Sequence, residues 1–289
     1  MTTPIQPGSV VVGVDGSAHS DAAVLSAIAF AALRSRPLVL VHALGEISAG
    51  ERLAGTEQSR QLRRATARRG TERALAVVRR VAPGLDVHEL HPSGDPRNAL
   101  LTLASQASLM VVGSRGHGPV STLLLGSVSV AVATHAPCAV AVVRPREEAE
   151  EEAEGVVVGV AGDGSDRAAV ELAAELASAE DGVLQAVHAW SAGDPLVDKA
   201  SHEQHVESRD RHERALAESL AGLADKFPDL EITQRLCEDG PVHALVERSR
   251  TADCVVVGSR GRTGTAAMLG SVSRSLLERA HGTVVVVRP

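Results

Sequence analysis

Two stretches of the chain combine a short apolar run with a glycine-rich loop that ends at a Gly-Ser pair. They are VVGSRGHGPVSTLLLGSVS, residues 111–129, and VVGSRGRTGTAAMLGSVS, residues 256–273. Glycines let a backbone approach a ligand closely, and a helix that follows offers unpaired N–H groups and the positive end of its dipole. Serine hydroxyls at the helix start can cap the helix or bond an anion. The pattern therefore predicts a cradle for phosphate.

The first loop differs from two common phosphate-binding motifs. The pattern G-x-x-x-x-G-K-[ST] is absent, and the only lysines are Lys199 and Lys226, which argues against a Walker-type ATPase. No G-x-G-x-x-G follows the first apolar run; GVDGSAHS places Asp15 there instead. We expect Asp15 to lie near the first glycine loop if their two strands are neighbours in a parallel sheet, where ligands bind.

The elements that would position these residues occur twice along the chain. This repeat predicts two tandem domains, 1–145 and 156–289, of ordinary domain size. The stretch 146–155, REEAEEEAEG, carries six glutamates and is typical of a solvated linker. The paired stretches are VVVGVDGS with VVVGVAGD, LVLVHAL with LQAVHAW, and CAVAVVRP with GTVVVVRP.

Apolar strands alternate with helical patterns in each half, which predicts an α/β fold with parallel sheets. Continuous valine runs, without polar alternation, favour strands that are buried on both faces. The third strand of each half, DVHEL or EITQRL, is more polar, as expected for an edge.

Taken together, these motifs resemble the universal stress protein family. Its nucleotide-binding members carry G-2x-G-9x-G-[ST] before the last helix and an aspartate after the first strand. The resemblance covers both halves and implies, in each, an open Rossmann-like sheet of five parallel strands in the order 3-2-1-4-5, with helices on both faces, similar to adenine nucleotide alpha hydrolases. It also implies ATP, with or without magnesium, between strands 1 and 4.

The resemblance assigns roles to individual residues of the first half. Asp15 and the backbone of Val41 would hold adenine and ribose, and the loop glycines and serines would hold ribose and phosphates. Two valines would line the site, with Arg115 as a neighbour. The implied nucleotide-binding residues are Gly13, Asp15, Val41, Val112, Gly113, Arg115, Gly116, Gly126, Ser127, Val128 and Ser129.

The second half departs from this pattern at two places. Ala161 stands where Asp15 stands in the first half, and Asp163 could replace it only after a local shift. Gly261 and Gly270 enclose eight residues, whereas Gly116 and Gly126 enclose nine. We therefore expect a weaker or empty second site. Its residues would be Gly159, Val187, Val257, Gly258, Gly261, Gly270, Ser271, Val272 and Ser273.

Composition limits the other functions. A formal net charge of −7 argues against a nucleic-acid partner, since phosphate-backbone binding needs clustered positive charge. The arginines between Arg60 and Arg73 and the histidines His202, His205 and His212 are interpreted as solvated helix faces rather than nucleic-acid or metal sites. No apolar run approaches the ~18 residues of a membrane span, so we expect a cytoplasmic protein without a membrane partner.

The sequence therefore predicts an ATP-binding switch in stress response or regulation, acting on an unidentified protein partner, with little or no hydrolysis and no catalytic residues. An interaction module without ligand remains an alternative. So does an ATP-dependent enzyme of the related synthetase superfamily, although GVDGSAHSD lacks the Ser-Gly-Gly-x-Asp-Ser loop of such enzymes. We also expect the halves to dock through their last strands as an intrachain pseudo-dimer, because apolar edge strands need cover; a homodimer is the other way to cover them.

Overall fold

The computed structural model describes residues 5–45, 57–116, 125–145, 155–190, 202–259 and 269–289. Within it the chain divides into two compact units, Met1–Pro145 and Arg146–Pro289. All of the predicted acidic linker except Gly155 lies outside the described residues.

Each unit contains five parallel strands and the helices that connect them. The strands of the N-terminal unit are β1 (Ser9–Gly13), β2 (Leu38–Val41), β3 (Val87–Leu90), β4 (Ala107–Gly113) and β5 (Ala139–Val143), and its helices are α1 (Ala18–Leu33), α2 (Glu57–Val81), α3 (Pro96–Ala104) and α4 (Ser127–His135). The strands of the C-terminal unit are β6 (Val156–Gly159), β7 (Val183–Trp190), β8 (Glu231–Glu238), β9 (Cys254–Gly258) and β10 (Thr283–Val287). Its helices are α5 (Arg167–Ala179), α6 (His202–Ser219), α7 (Leu223–Lys226), α8 (Pro241–Arg248) and α9 (Ser271–Arg279).

The strand order is the predicted one in both units. It is β3-β2-β1-β4-β5 in the first and β8-β7-β6-β9-β10 in the second, with every pairing inside each unit parallel. Since β1 lies between β2 and β4, the carboxyl ends of β1 and β4 meet at one edge. Ligands bind at this edge in open parallel sheets.

The valine runs account for the sheet cores. Val10, Val11 and Val12 in β1 are fully buried. Because successive side chains of a strand point to opposite faces, this burial shows that helices cover both faces of the sheet. The outer strands β3 and β8 contain no buried residue, and their polar composition fits an edge position. No helix in the described ranges is long and apolar enough to cross a membrane.

Gly155 marks a position where the C-terminal unit tolerates no side chain. Its φ is +86°, and a Cβ there would overlap Val183 O and lie 2.9 Å from Val183 N. We predict that Gly155→Ala lowers the free energy of unfolding of this unit by about 2–4 kcal/mol, through left-handed strain and overpacking. Urea unfolding measures this loss. Gly84→Ala is the control, because a Cβ there would meet nothing within 4 Å, and equal stability of the two variants would contradict the prediction.

Candidate functional site

The turn after β1 fixes Asp15 beside the start of α1. Asp15 Oδ1 accepts a hydrogen bond from Ser17 N at 2.9 Å, and Asp15 N donates to Ser20 Oγ at 3.1 Å. Ser17 caps the helix, since its Oγ accepts from Ser20 N at 3.2 Å. These bonds hold the exposed Asp15 carboxylate at the carboxyl end of β1.

Ser114, which directly follows β4, joins three other elements to this strand. Its N donates to Val143 O at the end of β5, and its O accepts from Gly126 N before α4, both at 2.7 Å. Its Oγ lies 3.1 Å from His19 Nδ1 in the first turn of α1. Ser114 is fully buried, so these bonds form a rigid support beneath the glycine loop.

Three glycines of the loop lie close to other atoms, and only at Gly113 would a Cβ overlap the backbone. A Cβ on Gly113 would lie 2.7 Å from the carbonyl of His19, and one on Gly126 would lie 3.3 Å from Ser114 O. A Cβ on Gly116 would overlap Asp15 Oδ2. The structure thus brings Asp15 and Gly116 together at the edge between β1 and β4. Residues 117–124 of the loop lie outside the described ranges.

The two serines at the start of α4 have different surroundings. The N-cap of this helix is Gly126, which makes no side-chain capping bond. Neither Ser127 nor Ser129 is therefore the capping residue of α4. Ser127 is exposed. Ser129 is buried and its Oγ donates to Gly113 O at 2.6 Å. A hydroxyl has one hydrogen, so Ser129 uses its hydrogen to hold the loop, whereas Ser127 faces solvent.

The remaining predicted residues of the first site are strand and helix residues beside the loop. Val41 ends β2, is 2% exposed, and its O accepts from Val14 N at 2.8 Å. Val112 is buried in β4, and its Cγ1 would lie 3.5 Å from a Cβ on Gly13. Val128 is half-buried in the first turn of α4. A carbonyl oxygen has two lone pairs. Val14 N uses one lone pair of Val41 O, so a ligand could bond to the other.

Positive charge gathers beside the loop. Arg115 is exposed, and Arg144, the residue after β5, is half-buried. Burial lowers the pKa of Arg144, and the nearby Arg115 lowers it further. The pKa of His19 is lowered by burial first, then by Arg115 and Arg144, while Asp15 acts in the opposite direction.

Sequence reasoning missed His19, Ser114 and Arg144. Ser114 and Arg144 had a signal, because both recur in the second half as Ser259 and Arg288. His19 had none, since Ser165 stands at its position in the second half.

The second unit repeats the support beneath the loop. Ser259 N donates to Val287 O at 2.7 Å, and Gly270 N donates to Ser259 O at 2.8 Å. Ser273 Oγ donates to Gly258 O at 2.6 Å. The buried Ser259 Oγ has no hydrogen-bond partner among the described residues, in contrast to Ser114.

The other predicted residues of the second site keep the positions of their counterparts. Gly159 ends β6, Val187 O accepts from Val160 N at 2.9 Å, and Val257 is buried in β9. Ser271 is exposed and Val272 is half-buried at the start of α9. Gly261 lies outside the described residues.

A different carboxylate occupies the turn after β6. Asp166 Oδ2 accepts from Ala161 N at 2.7 Å and from Gly162 N at 3.1 Å. Asp166 is buried, and its Oδ1 has no hydrogen-bond partner in the part of the chain that the structure describes. Asp163 is exposed, and its Oδ1 accepts from Ser165 N at 3.1 Å, as Asp15 does from Ser17. Asp163 therefore makes the same turn contact as Asp15. The second unit differs because this turn also contains the buried carboxylate of Asp166.

Three aromatic rings pack together at the end of β7. His188 Nδ1 lies 2.8 Å from Val160 O, and its Nε2 lies 2.8 Å from His212 Nδ1 on α6. Trp190 stacks on His212 with ring centroids 5.1 Å apart. The expectation of a wholly solvated histidine face is therefore wrong for His212, because the sequence pattern of α6 did not reveal its packing against β7. Among the described residues, no group of three or more His, Cys, Asp or Glu side chains could hold a metal ion.

Comparison with known proteins finds the same family in both halves. The profile of the universal stress protein family matches residues 8–144 and 153–288. A universal stress protein of Mycobacterium tuberculosis H37Rv is 32% identical over 299 residues, covering 100% of this chain and 99% of the relative. One of Mycolicibacterium smegmatis is 33% identical over 291 residues, covering 97% of each. The crystal structure of a universal stress protein from Archaeoglobus fulgidus has a TM-score of 0.66 at 21% identity, covering 98% of this chain and 99% of that one.

The different surroundings of the two serines lead to a stability prediction. We expect Ser129→Ala to lower the free energy of unfolding of the N-terminal unit by about 1–3 kcal/mol, because Gly113 O loses its buried donor. Ser127→Ala should change it by less than about 0.5 kcal/mol, as for other exposed substitutions. Urea unfolding of both variants provides the comparison, and equal losses would show that the bond from Ser129 does not stabilise the loop.

Proposed function

The chain belongs to the universal stress protein family, and on that premise we propose that its N-terminal unit binds ATP and acts as a nucleotide-dependent regulatory switch. The observation that carries the proposal is the meeting of Asp15, Gly116 and the start of α4 at one edge of the sheet. A carboxylate that accepts ribose hydroxyls would lie beside a glycine loop that accepts phosphates.

The residues present fit such a ligand. Gly116 and Gly126 carry no side chain, and a Cβ at either would crowd Asp15 Oδ2 or Ser114 O, so the bare backbone suits close approach of phosphate. The N-terminus of α4 has no side-chain cap, so its amides and Ser127 are suited to phosphate oxygens. Asp15 would hold the ribose, and the backbone of Val41 would contact the adenine.

Slow hydrolysis at most is the expected chemistry. Efficient phosphoryl transfer needs charge stabilisation at the γ-phosphate and a positioned nucleophile or water. Arginine beside the loop can supply charge, but the described loop residues, 113–116 and 125–129, contain no carboxylate, histidine or lysine that could activate an attacking water. Binding alone could still act as a signal, since a ligand at a hundredfold excess over Kd stabilises the bound form by about 2.7 kcal/mol. That free energy is sufficient to shift an equilibrium with a protein partner.

The two units should differ in affinity. The C-terminal unit has Ala161 in place of Asp15, a shorter loop, and the buried carboxylate of Asp166 near the turn. Both units carry an exposed carboxylate in this turn, Asp15 and Asp163, but only the second adds a buried one, Asp166, whose negative charge would repel phosphate. Docking of the halves through β5 and β10, a homodimer, and a cytoplasmic location stay predictions.

Calorimetry with ATP tests both the placement of the nucleotide and the difference between the two units. Wild-type protein should bind ATP with a stoichiometry nearer one than two per chain. Gly116→Val should weaken binding at least about tenfold, because its side chain would displace Asp15 and cover the backbone. Asp15→Ala should also weaken it, by about 1.5–3 kcal/mol if a charged hydrogen bond to the ribose is lost.

Asp163→Ala is the matched control, since it removes the analogous exposed carboxylate of the second unit. Unchanged affinity in both Gly116→Val and Asp15→Ala would refute the placement of the nucleotide. Two equal sites per chain would refute the asymmetry, and rapid multiple-turnover hydrolysis would favour an enzyme over a switch.

A further inference from the structure

We propose that His19, Arg115 and Arg144 form a cationic pocket that takes the terminal phosphates of the nucleotide and makes the N-terminal unit prefer polyphosphates to monophosphates. This inference deepens the proposed function and rests on it. It assigns a ligand-selecting role to His19 and Arg144, which lie outside the glycine motif.

The sheet register places the two arginines at one end of neighbouring strands. Gly113 in β4 pairs with Val143 in β5, and the bond from Ser114 N to Val143 O continues this pairing. Arg144 directly follows Val143, and Arg115 directly follows Ser114. Neighbouring strands lie about 4.8 Å apart, so both arginines emerge from the same corner of the unit.

The third group comes from a helix that packs against this corner. His19 lies in the first turn of α1, where its Nδ1 is 3.1 Å from Ser114 Oγ. The close contact between Gly113 and the His19 carbonyl fixes this turn against β4. The N-termini of α1 and α4 both lie at this corner, and each adds partial positive charge.

The charges at this corner act on one another. The pKa values of His19 and Arg144 are lowered mainly by burial and then by the neighbouring arginines, and Asp15 is the carboxylate that partly offsets this effect at His19. Half-buried groups of like charge repel each other in the absence of an anion. A bound polyphosphate would reverse that cost, because its negative charge favours each cationic form.

A proton should therefore accompany binding. With its pKa lowered from 6.5, His19 is mostly neutral near pH 7 in the free protein. Negative phosphates raise this pKa, so the bound form holds more proton than the free form. Affinity for polyphosphates should consequently rise as the pH falls from about 8 towards 6, within the titration range of histidine.

The second unit provides an internal comparison. Arg288 is the counterpart of Arg144, but Ser165 replaces His19 and the buried Asp166 follows it. The combination of three cationic groups is thus particular to the N-terminal unit among the described residues. Arg288→Gln serves as the matched control for Arg144→Gln.

The experiment titrates the full chain with AMP, ADP, ATP and inorganic tripolyphosphate by calorimetry at about pH 6 and pH 8. For wild type we expect affinity to rise from AMP to ATP. Arg144→Gln should weaken ATP and tripolyphosphate about tenfold or more, as expected when a charged hydrogen bond is lost, and leave AMP within about twofold. His19→Gln should remove the part of the pH dependence of ATP binding that exceeds the protonation of the phosphates themselves, whose own pKa is about 6, and Arg144→Lys should retain part of the preference for ATP.

Each outcome separates the pocket from the nucleotide site. Equal weakening of AMP and ATP by Arg144→Gln, or a wild type with equal affinity for both, overturns the pocket while nucleotide binding stands. Arg144-dependent binding of tripolyphosphate without nucleotide binding supports the pocket as an anion site and refutes the proposed function. Loss of all binding by Arg144→Gln with an unchanged melting temperature also overturns the selective role, because AMP binding should survive.

Discussion

The hydrogen bonds of Ser114 are the constraint on which the N-terminal site depends. One buried residue connects the end of β4 to Val143 in β5, to Gly126 before α4, and to His19 in α1. Each of these bonds is ordinary in length, but together they fix the directions in which two helices leave the sheet edge. The glycine loop begins and ends on this support. The described ends of the loop, at Gly116 and Gly126, are therefore held at the sheet edge.

Close packing at this support explains why the loop contains glycine at fixed positions. Gly113 lies against the His19 carbonyl, and Gly116 lies against the Asp15 carboxylate. A side chain at either position would displace the first turn of α1 or the carboxylate. The glycine motif is thus a packing requirement of the fold as well as a route for close approach by phosphate, and the two roles cannot be separated by composition alone.

Apolar runs that alternate with helical patterns predicted the parallel sheets, whereas the strand order and the meeting of β1 with β4 came from the resemblance to the universal stress protein family. Neither predicted His19 or Arg144, whose proximity depends on how α1 packs against β4 and β5. Likewise, Ser127 and Ser129 are equivalent in the motif, and only the tertiary structure shows that Ser129 donates to Gly113 O. Periodicity and spacing do not predict contacts between side chains or backbone groups of different elements, because these depend on tertiary packing.

The contrast between the units shows how one support can carry different electrostatics. Ser259 repeats the backbone bonds of Ser114, so the second loop starts and ends as the first does. What differs is the start of the following helix. His19 and Ser20 lie in the first turn of α1, whereas their counterparts Ser165 and Asp166 precede α5, with Asp166 as its N-cap. Both arginines of the first corner recur in the sequence of the second unit, as Arg260 and Arg288, but its helix start lacks the histidine and adds a buried carboxylate. Since a phosphate ligand responds to this added carboxylate as well as to the shape of the sheet, duplication of the fold need not have duplicated the ligand.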